Sequence, residues 1–82
     1  IGVSENILAD TLNNLGYVYF KMEEYQTAIK YYQKALNEDS FNKKNSRELI
    51  NSLCNMGDLH LHIGDSQNSI MYYQKALSIV QH

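Results

Sequence analysis

Proline is absent from this 82-residue chain, and glycine occurs only four times. Long helices therefore meet no obligatory break. Cysteine occurs once, as Cys54, which excludes an internal disulfide framework and favours a reducing, cytoplasmic setting. Charge of neither sign dominates. Seven basic and nine acidic residues are well mixed and leave a net charge of −2, so no basic field exists for nucleic acid. No apolar run approaches the roughly 20 residues that span a bilayer, and no signal-peptide pattern is present. The chain starts at Ile1 rather than at methionine and reads as a piece of a longer protein. A chain this short buries about 60–65% of its unfolded surface, so its stability is modest.

What the chain does have is itself, twice. Tyr-Tyr-Gln-Lys-Ala-Leu stands at Tyr31–Leu36 and again at Tyr72–Leu77, an offset of 41 residues. The same offset pairs Leu12 with Leu53, Asn14 with Asn55, Gly16 with Gly57, Gln26 with Gln67 and Ile29 with Ile70. Between Asp10–Glu38 and Asn51–Ile79, 11 of 29 positions are identical. A period of this size signals stacked units, each burying its apolar face only against its neighbour.

Each unit reads as two helices. Leu8, Leu12, Leu15 and Tyr19 are spaced four, three and four apart, one helical stripe, and Leu49, Leu53, Met56 and His60 repeat it. Ile29, Tyr32, Ala35 and Leu36 make a second face, echoed by Ile70, Tyr73, Ala76 and Leu77. The expected helices are about 4–21, 24–38, 46–63 and 66–80, with ends uncertain by about 2–4 residues. The fold class is all-α: two helix-turn-helix repeats in one unit spanning 1–82, about 4–38 and 46–80, joined by a polar loop at 39–45. Asn45 with Glu48 reads as a capping box for the third helix. Gly64 suits the left-handed residue that closes a helix, followed by Asp65 or Ser66 as a cap. In the first unit Glu23 stands at that place and would hold positive φ at a cost on the order of 1 kcal/mol. Gly16 and Gly57 sit inside helical segments, where glycine costs about 1 kcal/mol against alanine. Their repetition predicts close helix approach, helped by Ala28, Ala35, Ser69 and Ala76, with Tyr19, Tyr25 and Tyr32 filling the surroundings. Tyr31 and Tyr72 read as an inter-repeat packing pair.

These residues resemble the tetratricopeptide repeat family. The first unit has Leu12-x-x-Leu15-Gly16-x-x-Tyr19, then Tyr25-x-x-Ala28 and Tyr32-x-x-Ala35. The second has Leu53-x-x-Met56-Gly57, then Ser69, Tyr73 and Ala76, departing where His60 and Ser66 replace tyrosines and where the usual terminal proline is missing. The period of 41 against the usual 34 is similar to the long-repeat branch, as in kinesin light chain and bacterial regulatory arrays. Two further turns' worth of residues would lengthen one helix end and the next helix start around Asn42.

The resemblance implies a right-handed α-solenoid that binds a protein or peptide partner in a groove walled by the first helix of each unit. It implies no catalysis, cofactor or metal. Asp10, Asn13, Asn14, Tyr17 and Lys21 share the face opposite the apolar stripe, matched by Asn51, Cys54, Asn55, Asp58 and His62. An asparagine amide carries both donor and acceptor and can pair with an extended backbone; similar long-repeat proteins use an asparagine at the places of Asn14 and Asn55 in this way. The plain alternative is a solvated asparagine-rich face. Asn13, Tyr17 and Asn51 stand where a carboxylate clamp would need other residues, so chaperone-tail binding is not expected. Asp10 and Asp58 tilt the groove toward basic or neutral peptides. Cys54, Asp58 and His62 share a face but lack a fourth zinc ligand, and eight residues of helix rise hold Cys54 and His62 about 12 Å apart, too far for a nucleophile pair. A second reading is self-association, head-to-tail or swapped, through apolar ends at Ile7, Ile70, Ile79 and Val80.

Overall fold

The computed structural model describes residues 2–41 and 46–81, with side chains described over 7–38 and 46–81. Four helices follow one another: α1 (Gly2–Lys21), α2 (Tyr25–Phe41), α3 (Ser46–His62) and α4 (Ser66–Val80). No strand occurs among the described residues. α1 packs on α2 and α3 on α4, giving two hairpins, and α2 lies against α3 to join them. α1 and α3 touch only lightly along one side.

The two turns are built alike. In the first, the Glu23 amide donates to the Phe20 carbonyl at 3.0 Å and the Glu24 amide to the Tyr19 carbonyl at 2.9 Å. In the second, Gly64 donates to Leu61 at 3.1 Å and Asp65 to His60 at 2.7 Å. This is the Schellman closure, which needs a left-handed residue just past the helix. Gly64 takes φ 88° and Glu23 takes φ 63°, as the offset predicts. Asp65, not Ser66, caps α4: its carboxylate accepts from the Asn68 backbone at 3.3 Å and from the Asn68 side chain at 2.7 Å. Those two bonds hold the Asp65 carboxyl below its ordinary pKa. Asn45, expected to cap α3, lies outside the described residues.

The predicted glycine contacts are present. A Cβ on Gly16 would stand 2.5 Å from Cδ1 of Tyr32, and one on Gly57 would stand 2.7 Å from Cε1 of Tyr73. Each glycine lets a tyrosine of the facing helix lie flat across its backbone. Ala28, Ala35, Ser69 and Ala76, the small residues expected to help that approach, are all buried. The main core forms where the units meet: Ala28 and Tyr32 of α2 with Met56 and Leu59 of α3, flanked by Tyr19, Phe20, Ile29 and Tyr72. Burial in this core, then the nearby Asp58 carboxylate and Tyr17, push the Tyr32 phenol up to about 12.

Four expectations change. α2 runs to Phe41, so residues 39–41 are helical and not loop; no proline or glycine between Asn37 and Phe41 ends the helix. Tyr31 and Tyr72 stack inside their own hairpins instead of forming an inter-repeat pair. Tyr31 lies parallel to Tyr19 at 5.4 Å and Tyr72 nearly parallel to His60 at 5.5 Å. Lys34 reaches over the Tyr31 ring and Lys75 over the Tyr72 ring, each at 5.6 Å. Tyr19 is thereby spent on Tyr31, and Tyr25 turns to Phe20 and His62, leaving Tyr32 alone of the three across Gly16. Ile79 is half-buried, lining an open hollow of about 340 Å³ with Leu36, Leu49, Leu53, Lys75 and Ser78, while Ile7, Ile70 and Val80 are exposed as expected.

Candidate functional site

α1 and α3 run side by side, and the wall they form carries the residues singled out from the sequence. Asp10, Asn14, Tyr17, Lys21, Asn51, Asp58 and His62 are exposed, and Asn13, Asn55 and Cys54 are half-buried. Of the half-buried ones, Asn13 and Asn55 meet across the two helices.

Asn13 is the hinge of that contact. Its Nδ2 donates to Oγ of Ser52 at 3.1 Å, and its Oδ1 accepts from Nδ2 of Asn55 at 3.3 Å. An amide offers two N–H donors and a two-lone-pair oxygen. Among the described residues, Asn13 therefore keeps one N–H and one lone pair, and Asn55 keeps its carbonyl oxygen and one N–H. Asn55 is not an isolated clamp as its match to Asn14 suggests. It is positioned by Asn13 from the neighbouring unit, while Asn14 has no such partner among the described residues. Ser52 was missed in the sequence reading. The signal was available, since Thr11 stands 41 residues earlier and also carries a hydroxyl.

Acidic and aromatic groups flank the amides. Asp58 accepts a short hydrogen bond from the Tyr73 hydroxyl. That bond, with burial and the carboxylate's charge, raises the Tyr73 phenol to about 12. Lys21 extends over the Tyr17 ring at 5.8 Å, a contact that presents a flat, partly cationic edge. At the α1 and α3 C-termini the wall ends in an open pocket of about 290 Å³ lined by Phe20, Lys21, Glu23, Tyr25 and His62. His62 meets the Tyr25 hydroxyl at 3.0 Å and sets its ring edge-on to Phe20 at 5.0 Å. Phe20 was missed because the stripe ending at Tyr19 gives no hint that the next residue joins an aromatic cluster.

Cys54, Asp58 and His62 do not converge. Asp58 faces Tyr73 and His62 faces Tyr25, and no group of three or more potential metal ligands gathers among the described residues. The Cys54 thiol is pushed up by burial and then by Asp58, the direction opposite to nucleophile activation. His60 sits apart, stacked on Tyr72 with Nδ1 3.4 Å from the Asp65 carboxylate. No helix is long and apolar enough to cross a membrane among the described residues.

The wall thus holds a row of amide groups, two of which are bridged across the units. Comparison with known proteins gives no match among curated proteins or solved structures. A profile of the tetratricopeptide repeat matches residues 7–82. That span takes in both hairpins, and the chain belongs to the tetratricopeptide repeat family.

Proposed function

We propose that this chain is a non-catalytic interaction module that receives an extended peptide segment of a protein partner along the α1–α3 wall. Members of the family commonly mediate protein–protein contacts. The supporting observation is the Asn13–Asn55 bridge: Asn55 is held in place from the adjacent unit while its own carbonyl oxygen and one N–H stay unspent. That pair matches the acceptor and donor of one peptide unit in an extended strand. Asp10 and Asp58 bias the wall toward neutral or basic segments. Its one thiol suits a reducing compartment such as the cytoplasm.

The test is selection from a library of extended peptides, followed by affinity measurement with Asn14→Ala and Asn55→Ala. The expected result is enrichment of neutral or basic peptides, with Asn55→Ala weakening them by about 1–3 kcal/mol at unchanged helix content. Equal affinity for wild type and both variants, or no enrichment, overturns the reading.

A further inference from the structure

The two units stop matching at one place on the wall. Tyr73 of the second unit corresponds to Tyr32 of the first, but Asp58 corresponds to Tyr17. In both units the tyrosine crosses the glycine of the facing helix. In the second unit it goes on to meet a carboxylate, the Tyr73 hydroxyl donating to Oδ1 of Asp58. Asp58 is nevertheless exposed. A carboxylate accepts through two oxygens, so among the described residues Oδ2 is left over. No lysine or arginine of the described residues pairs with it. Lys21, on the other helix of the wall, reaches over Tyr17 instead. The uncompensated charge is felt on three helices. It helps raise the Cys54 thiol on α3, the Tyr32 phenol on α2 and the Tyr73 phenol on α4. The first unit fills the matching place with Tyr17, so a hairpin of this kind needs no carboxylate there.

Asn55 gives the register. It lies three residues before Asp58 on α3, and residues so spaced are neighbours on a helix, about 5–6 Å apart. An extended strand advances about 3.3 Å per residue and points every second side chain the same way. Two residues of strand therefore cover the step from Asn55 to Asp58. We infer that Asp58 reads a basic side chain of the bound segment, an arginine or lysine two residues from the peptide unit that Asn55 holds. Tyr73 is the positioning residue that fixes the carboxylate. This rests on the α1–α3 wall receiving an extended segment, and it narrows a general bias of charge to one required cation at one place. The guanidinium or ammonium donates to the open oxygen of Asp58 in a charge-assisted bond.

A random dodecapeptide library displayed on phage, panned in parallel on the wild type and on Asp58→Asn, tests this. The wild type is expected to enrich sequences with arginine or lysine at one fixed place, and Asp58→Asn to lose that requirement. One enriched peptide is then made with arginine and with citrulline, its uncharged isostere, at that place. The wild type is expected to prefer arginine by roughly two- to fivefold, the size of an exposed ion pair, and less so at high salt. Asp58→Asn is expected to bring the ratio to unity and Tyr73→Phe to lower it, with affinity for the citrulline peptide unchanged in both. Asn55→Ala is expected to weaken both peptides alike. Circular dichroism verifies that the variants keep their helices; if one does not, the arginine-to-citrulline ratio of the wild type at low and high salt decides. Equal affinity of the wild type for the two peptides overturns the inference, as does a ratio that survives either substitution. Enrichment without a fixed basic residue also overturns it and leaves the interaction module standing. No enrichment at all removes the module and this inference together.

Discussion

The ring of Tyr32 lies where a side chain at Gly16 would have to be, with ring atoms 2.5 and 2.6 Å from the missing Cβ. The equivalent relationship between Gly57 and Tyr73 differs in one respect. Tyr32 is locked in the core between the hairpins, whereas Tyr73 is half-buried and meets Gly57 with the outer part of its ring. Alanine gains about 1 kcal/mol of helix propensity at either site. At Gly57 a small swing of Tyr73 relieves the clash, so Gly57→Ala is expected to be within about 1 kcal/mol of neutral. At Gly16 the ring has nowhere to go, and Gly16→Ala is expected to destabilise by about 1–3 kcal/mol. Urea denaturation of the two variants decides this; equal effects would contradict the asymmetry.

Glu23 and Gly64 occupy the same place in two turns of the same kind, both with positive φ. At Gly64 nothing lies within 4 Å of an added Cβ, so backbone strain alone acts. Gly64→Ala is expected to destabilise by about 1 kcal/mol, and Glu23→Gly to stabilise by up to about 1 kcal/mol. Thermal melts of the pair give the comparison. If Glu23→Gly lowers the Tm, strain at that turn is not what limits it.

Of seven tyrosines, Tyr32 and Tyr73 are both raised from 10.0 to about 12. A phenol whose folded pKa exceeds its unfolded value favours folding fully below the unfolded value. That contribution is lost as pH rises through the folded one. Stability is therefore expected to fall between about pH 10 and 12, while the tyrosinate absorbance shows two late-ionising groups. Asp58→Asn removes the leading cause at Tyr73 and only a secondary one at Tyr32, so it is expected to lower the Tyr73 step more. One common ionisation step for all seven tyrosines would refute the assignment.

Asp65 gives the acid counterpart. Its carboxyl is depressed by bonds to Asn68, so its stabilising effect is present above its ordinary value of 3.8 and disappears as pH falls through the lowered one. Asp65→Asn preserves a capping side chain and is expected to keep most of the Tm at neutral pH, whereas Asp65→Ala is expected to lose it. Equal melting of both variants would mean the cap contributes nothing.

Much of this architecture is written in short-range patterns. The repeated hexapeptide and the stripes through Leu12 and Leu53 give two hairpins, and Glu23 opposite Gly64 gives a left-handed residue at each turn. These depend on spacing and on local backbone chemistry. Contacts set by how helices lie on one another are less legible. Helical phase puts Tyr31 on a face but not against Tyr19, and it does not reveal that Asn55 leans on Asn13, 42 residues away. The wall residues were placed on the correct helices, yet their division into bridging and open amides required the α1–α3 register. The continuation of α2 through Phe41 was hidden because polar residues without a breaker fit loop and helix equally well.

The Asn13–Asn55 bridge gives the molecule a direction. The residue 41 positions after Asn13 is Cys54, whose thiol is a feeble donor and acceptor. A circular permutant that places the second hairpin ahead of the first would still find hydrocarbon to press together at the new junction. It would set sulfur where an amide now spans the gap, so the two halves can be transposed in their grease but not in their polar stitching.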